Sequence, residues 1–116
     1  MTSIRGNKMT RTFIKFNDYL VDRLKDPIEA KAHLELAISE YEKDGDTAAF
    51  MLMLRLIVEA QGGIPQLSER SHLNRQNLYK VLTGKTTPRF DTMVSIIKGL
   101  GYHLVPQNIE NHQRAS

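Results

Sequence analysis

Cysteine is absent from this chain of 116 residues. That excludes a disulfide framework, a thiolate metal site and a cysteine nucleophile, and it fits a reducing cytoplasm, where we expect the protein to reside. A long apolar run is missing too. The longest, "AAFMLML" from Ala48 to Leu54, is far shorter than a membrane span and stops at Arg55, so no membrane association is expected. The N-terminal stretch "MTSIRGNKMTRTF" is cationic but leads into no apolar run, and does not read as a secretory signal. There is no internal repeat, low-complexity tract, glycine-rich phosphate loop, nucleophile elbow or paired-carboxylate motif. His33, His72, His103 and His112 show neither the HxxxH nor the HExxH spacing, so a metal site is not expected. His33 beside Glu29 or Glu40, or His103 with Asp91, is the nearest approach to acid–base chemistry. Carboxylates on such a helix more often form a solvated face, and the sequence points away from an enzyme and from any cofactor.

What is present is a partition of charge. Residues 26–46 hold seven acidic residues against Lys31 and Lys43, a balance of −5. Residues 62–105 hold six basic residues against Glu69 and Asp91, a balance of +4. A basic second half attracts a polyanion, while an acidic first half repels one and suits a basic partner.

Apolar periodicity organises the chain into helices. Residues 13, 16, 20 and 24 fall on one helical side. Asp26-Pro27 supplies a cap and a proline at the first helical position. The helix it opens runs to about Tyr41, with Ala30, Leu34, Ala37, Ile38 and Tyr41 on one stripe, and "KDGD" closes it with Gly45. The next segment, about Ala48 to Gln61, is apolar nearly all round and reads as the central strut, or as a subunit contact. After Gly62-Gly63 come three short pieces. "IPQLSERS" begins at Pro65, "LNRQNLYKVLTG" is capped by Asn74 and ended by Gly84, and "RFDTMVSIIKGLG" turns Phe90, Met93, Ile96, Ile97 and Leu100 inward. "YHLV" reads as a short extended piece.

The stretch from Leu73 to Phe90 carries Arg75, Lys80, Lys85 and Arg89 and no acidic residue. Leu67, Leu73, Leu78 and Val81 supply the apolar skeleton of a helix-turn-helix, with Ser68 small enough for the close crossing. Turning those positions inward leaves Arg75, Gln76, Asn77 and Lys80 on the outside of the second helix. Arginine bonds guanine edges in pairs, and glutamine or asparagine does the same for adenine, when a helix lies in the major groove. These four are the expected base contacts, with a phosphate as the alternative for Lys80. Asn74, Tyr79, Thr83, Lys85, Thr86, Thr87 and Arg89 are the expected phosphate contacts, since hydroxyls and cations bond phosphate oxygens without reading sequence. For Tyr79, stacking or burial against the helix remain open.

"LSERSHLNRQNLYKVLTGKTTPRFDTMVSIIKGLG" resembles the helix-turn-helix of Cro/C1-type (Xre-like) repressors, and more closely the addiction-module antidote proteins of bacterial toxin–antitoxin systems. Asn74, Arg75, Leu78, Tyr79, Leu82, Gly84, Lys85, Pro88 and Leu100 sit where that pattern wants them. The upstream segment from Phe16 to Gly63 is similar to the same family, so the resemblance covers about residues 16–105. Two positions depart from it: His72 stands where the turn usually has glycine, and Ser71 where an apolar residue is common. Histidine tolerates a left-handed backbone better than most residues.

The resemblance implies an all-α fold, a compact helical bundle with a C-terminal Cro/C1-like helix-turn-helix DNA-binding unit. A flexible arm over 1–11, a single helical domain over 12–105 with the helix-turn-helix region at 62–101, and a flexible tail over 106–116 are expected. It further implies an antitoxin that represses its own operon on double-stranded operator DNA and neutralises a co-encoded toxin. Toxins of this group resemble small basic messenger-RNA ribonucleases. The alternative is a stand-alone transcriptional repressor. One recognition helix covers few base pairs, so a homodimer on a palindromic site is expected, joined through 48–58 or through Tyr102 to Val105.

Overall fold

The computed structural model describes residues 16–110. The expected arm over 1–11, Phe13 and the end of the expected tail, 111–116, lie outside the described residues. Among the described residues there are six helices and no strand. Helix α1 occupies 16–23, followed by α2 (Pro27–Asp44), α3 (Thr47–Ala60), α4 (Gly63–Ser71), α5 (Arg75–Leu82) and α6 (Phe90–Gly99).

The boundaries follow from local chemistry. The Asp26 carboxylate accepts from the Ile28 amide at 2.9 Å, satisfying a free amide at the start of α2, and Pro27 enters where no amide is needed. Asp46 repeats the device for α3 by accepting from the Ala49 amide at 3.0 Å. Between these two helices stand only Gly45 and Asp46, so α2 and α3 form a tight hairpin. The end of α1 is tied across the bundle by the Gln61 side chain, which donates to the Leu24 carbonyl at 2.8 Å. Arg23 donates to the Tyr19 hydroxyl and pairs with Glu29, fastening the corner between α1 and α2.

Helix α3 is the strut the sequence predicts. It buries Met51, Leu54, Leu56, Ile57 and Val58, and α2, α4 and α5 all pack on it. Leu24, Leu34, Leu67, Leu78, Val81, Leu82 and Ile96 close the core around it. Each fully buried leucine or isoleucine here contributes roughly 1.5–3 kcal/mol relative to exposure. No single helix among the described residues is long and apolar enough to cross a membrane.

Several apolar positions depart from the expected inward set. Phe90, read as facing the core, is 77% exposed, because it is the first residue of α6 and the inner stripe begins only one turn later with Met93, Ile96 and Ile97. Phe16 is exposed, and the core is met by Leu20 of α1 and by Leu24 just after it. Tyr41 is exposed at the α2 end of the hairpin, its ring tilted against Phe50 at 5.9 Å. Leu52 is exposed, so α3 is not enclosed on every side. The "YHLV" segment forms no strand. The Tyr102 amide instead donates back to the Ile97 carbonyl at 3.0 Å, which folds Tyr102 against the core.

Helices α4 and α6 touch so closely that a side chain is excluded between them. A β-carbon at Gly99 would lie 2.7 Å from Leu67 Cδ1 and 3.2 Å from Ser71 Cβ. Replacing Gly99 with Ala therefore overpacks this contact, and chemical denaturation should register a loss of about 1–3 kcal/mol. An unchanged midpoint would mean that Leu67 rotates, or α6 shifts, to admit the methyl group.

Candidate nucleic-acid interface

Helices α4 and α5 are joined by three residues, His72, Leu73 and Asn74. His72 adopts the left-handed conformation (φ +61°) and its amide donates to the Ser68 carbonyl at 2.9 Å, ending α4. Two hydroxyls then fix the link. Ser68 donates to the Leu73 carbonyl at 2.6 Å, and Ser71 accepts from the Leu73 amide at 3.2 Å. Both departures from the resembled pattern thus have a local role: His72 makes the turn, and the Ser71 hydroxyl holds it. Leu73 is pressed against the core.

Asn74 caps α5. Its side-chain oxygen accepts from the Gln76 and Asn77 amides, at 2.7 Å and 3.2 Å. That oxygen is engaged within the helix, which leaves the Asn74 amide group as its outward donor. The inner face of α5 is Leu78, Val81 and Leu82, all buried. Arg75, Gln76, Asn77 and Lys80 are exposed, and among the described residues no ion pair engages Arg75 or Lys80.

The end of α5 is shaped by Gly84 (φ +80°). The Gly84 amide donates to the Val81 carbonyl at 3.2 Å and the Lys85 amide to the Lys80 carbonyl at 2.8 Å, the paired bonds of a left-handed helix stop. This reversal brings the Lys85 ammonium over the Tyr79 ring, 5.1 Å from its centre. Tyr79 is 52% exposed, so the buried alternative for it falls away. Arg75 and Tyr79, four apart, share one face of α5, and the Lys85 ammonium over the Tyr79 ring extends that strip.

The remaining expected phosphate contacts are placed unequally. Thr83 donates its hydroxyl hydrogen to the Tyr79 carbonyl at 2.6 Å and so keeps only acceptor capacity toward an outside group. Thr86 and Thr87 are exposed in the loop between α5 and α6. Arg89 is exposed and pairs with Asp91 at 3.3 Å, which offsets part of its charge. The fold also adds a residue that sequence reasoning missed. Arg55 of α3 lines a groove of about 450 Å³ together with Lys85, Thr86 and Thr87. Its position inside the most apolar segment of the chain gave no cue, because only the tertiary fold carries α3 to this loop. Among the described residues no group of histidine, aspartate or glutamate is arranged to hold a metal ion.

The turn makes a graded prediction. Replacing His72 with Gly removes the left-handed penalty and should raise stability by up to about 1 kcal/mol. Replacing it with Val, a β-branched residue, should lower it. Thermal or denaturant midpoints in the opposite order would show that the link relaxes out of the left-handed geometry.

A family model described as "Probable addiction module antidote protein" matches residues 19–108, a span that takes in all of α2 to α6 and part of α1. No curated protein and no solved structure matches the chain. The match extends over both the acidic hairpin and the basic helix pair, well beyond half of the sequence, and the chain belongs to the family of probable addiction module antidote proteins.

Proposed function

We propose that α4, the link at His72 and α5 form a Cro/C1-type helix-turn-helix. Through it this antidote binds operator DNA, represses its own operon and neutralises a co-encoded toxin by direct contact. The observation that carries the DNA reading is the division of α5 into a buried face and a free polar face. Leu78, Val81 and Leu82 hold the helix down, while Arg75, Gln76, Asn77 and Lys80 project outward with no acidic residue beside them.

On this reading α5 enters the major groove with Arg75, Gln76 and Asn77 at base edges and Lys80 at a base edge or the adjoining phosphate. Asn74, Tyr79, Lys85, Thr87 and Arg89 hold the sugar–phosphate backbone, with Thr83 joining them if its hydroxyl rotates away from the Tyr79 carbonyl. Arg55 also lines the groove beside Lys85, its charge partly offset by Glu59 at 3.6 Å. Binding positions the duplex and involves no catalysis, cofactor or metal. A homodimer supplies the second half-site, one helical turn away. Its contact runs through 48–58, where Leu52 is exposed, or through Tyr102 to Val105, where Val105 is exposed. The toxin is a small basic protein of the messenger-RNA ribonuclease type, and both partners act in the cytoplasm.

Arg75→Ala should weaken operator binding by ~1–3 kcal/mol and relax base preference at one position. Equal affinity for wild-type and variant protein in a titration with labelled duplex would remove Arg75 from base reading. Lys85→Ala should act differently, lowering affinity for all sequences alike and flattening the dependence on salt. A loss confined to the operator sequence would contradict its phosphate role. The stand-alone repressor separates from the antidote in one growth assay: co-expression with the product of the adjacent gene shows protection only for the antidote.

A further inference from the structure

The acidic half of the molecule carries a groove that the DNA reading leaves unused. It follows the seam of the α2–α3 hairpin, with Leu36, Ala37, Ala49 and Met53 as its apolar lining and Glu40, Asp44 and Asp46 at its rim. Tyr41 and Phe50 form one end of it. The same two rings line a second apolar groove of about 410 Å³, which continues past Pro88 to Phe90, Met93 and Leu104. Together they make one trough whose side chains are unusually open: Leu36 is 58% exposed, and Phe90 still more so.

We propose that this trough is the toxin-docking surface, and that it takes a cationic amphipathic segment of the toxin. The partner's apolar stripe would cover Leu36, Tyr41, Phe50 and Phe90, and its lysines or arginines would meet Asp44 and Asp46, and Glu40 in exchange for its 4.0 Å contact with Lys43. This rests on the antidote reading above and gives it a location. Charge selects the occupant. Residues 26–46 hold the −5 balance, so a phosphate backbone is repelled from this face. A second copy is disfavoured for the same reason, because a two-fold contact is self-complementary and would bring the two acidic rims together. Asp44 and Asp46 accept backbone amides through one oxygen each, from Asp46 and Ala49, so their charges are fixed in place rather than swinging freely. The exposed aromatic rings give the apolar area that a cationic rim contact alone would lack.

The test uses the full chain and a synthetic helix of leucine and lysine at helical spacing, with a leucine–glutamate helix as control. The comparison is with Leu36→Lys/Glu40→Lys, which alters only exposed side chains. The lysine peptide should shift amide resonances across residues 33–53, weaken with salt, and bind the double variant at least about tenfold less tightly. The control peptide should not bind, and the variant's affinity for duplex DNA should not fall, since the added positive charge can only favour a polyanion. Equal binding to the variant, shifts confined to other faces, or release of a dimer by the peptide would overturn the assignment. So would movement of resonances from residues 1–15 in the variant alone, which would give the trough to the chain's own basic N-terminal stretch. Failure of the antidote reading looks different: wild-type protein then gives no protection against the product of the adjacent gene. If wild type protects and the double variant protects equally well, docking lies elsewhere and the trough proposal falls.

Discussion

Helix α5 has only eight residues, and an isolated helix of that length is not stable in water. It exists because Leu78, Val81 and Leu82 are buried against α3 and α4, and because both of its ends are closed. Asn74 satisfies two amides at its start, and the Gly84 reversal satisfies two carbonyls at its end. This dependence fixes the direction in which α5 points. Its outer residues need make no stabilising contacts at all, and they are free to be chosen for what they meet outside the molecule.

The same economy governs the support beneath it. Helix α4 is held from two sides, by α5 across the His72 link and by α6 at the side-chain-free contact of Gly99 with Leu67 and Ser71. The serine hydroxyls at 68 and 71 bond the link's backbone where a buried polar group would otherwise be unpaired. A left-handed histidine is tolerable there because every neighbouring group confirms the geometry.

The charge partition gives the molecule two electrostatically opposite sides on one core. The cationic strip of Arg75, Tyr79 and Lys85 belongs to the helix pair, while the acidic rim belongs to the α2–α3 hairpin. The loop from Gly84 to Pro88 lies between them, contributing to the Arg55 groove on one side and, through Thr87 and Pro88, to the apolar trough on the other. On the proposed function, opposite local charge is a simple means of keeping a nucleic acid and a toxin on different surfaces.

The sequence by itself determined what is local. Caps at Asp26 and Asn74, the stops at Gly45 and Gly84, the apolar stripes and the left-handed demand on His72 all depend on residues within a few positions of one another, so periodicity and side-chain chemistry reveal them. The outward set on α5 was legible for the same reason, since burying Leu78 and Val81 leaves Arg75, Gln76, Asn77 and Lys80 nowhere else to go. Only the tertiary structure decided which apolar side chains remain uncovered and which distant residues meet. Phe90 lies outside the core because its stripe starts a turn later, Tyr41 stays exposed with only Phe50 against its ring, and Arg55 joins Lys85 because α3 runs beneath the loop. Those outcomes depend on how whole helices are set against each other, a relation that no short stretch of sequence contains.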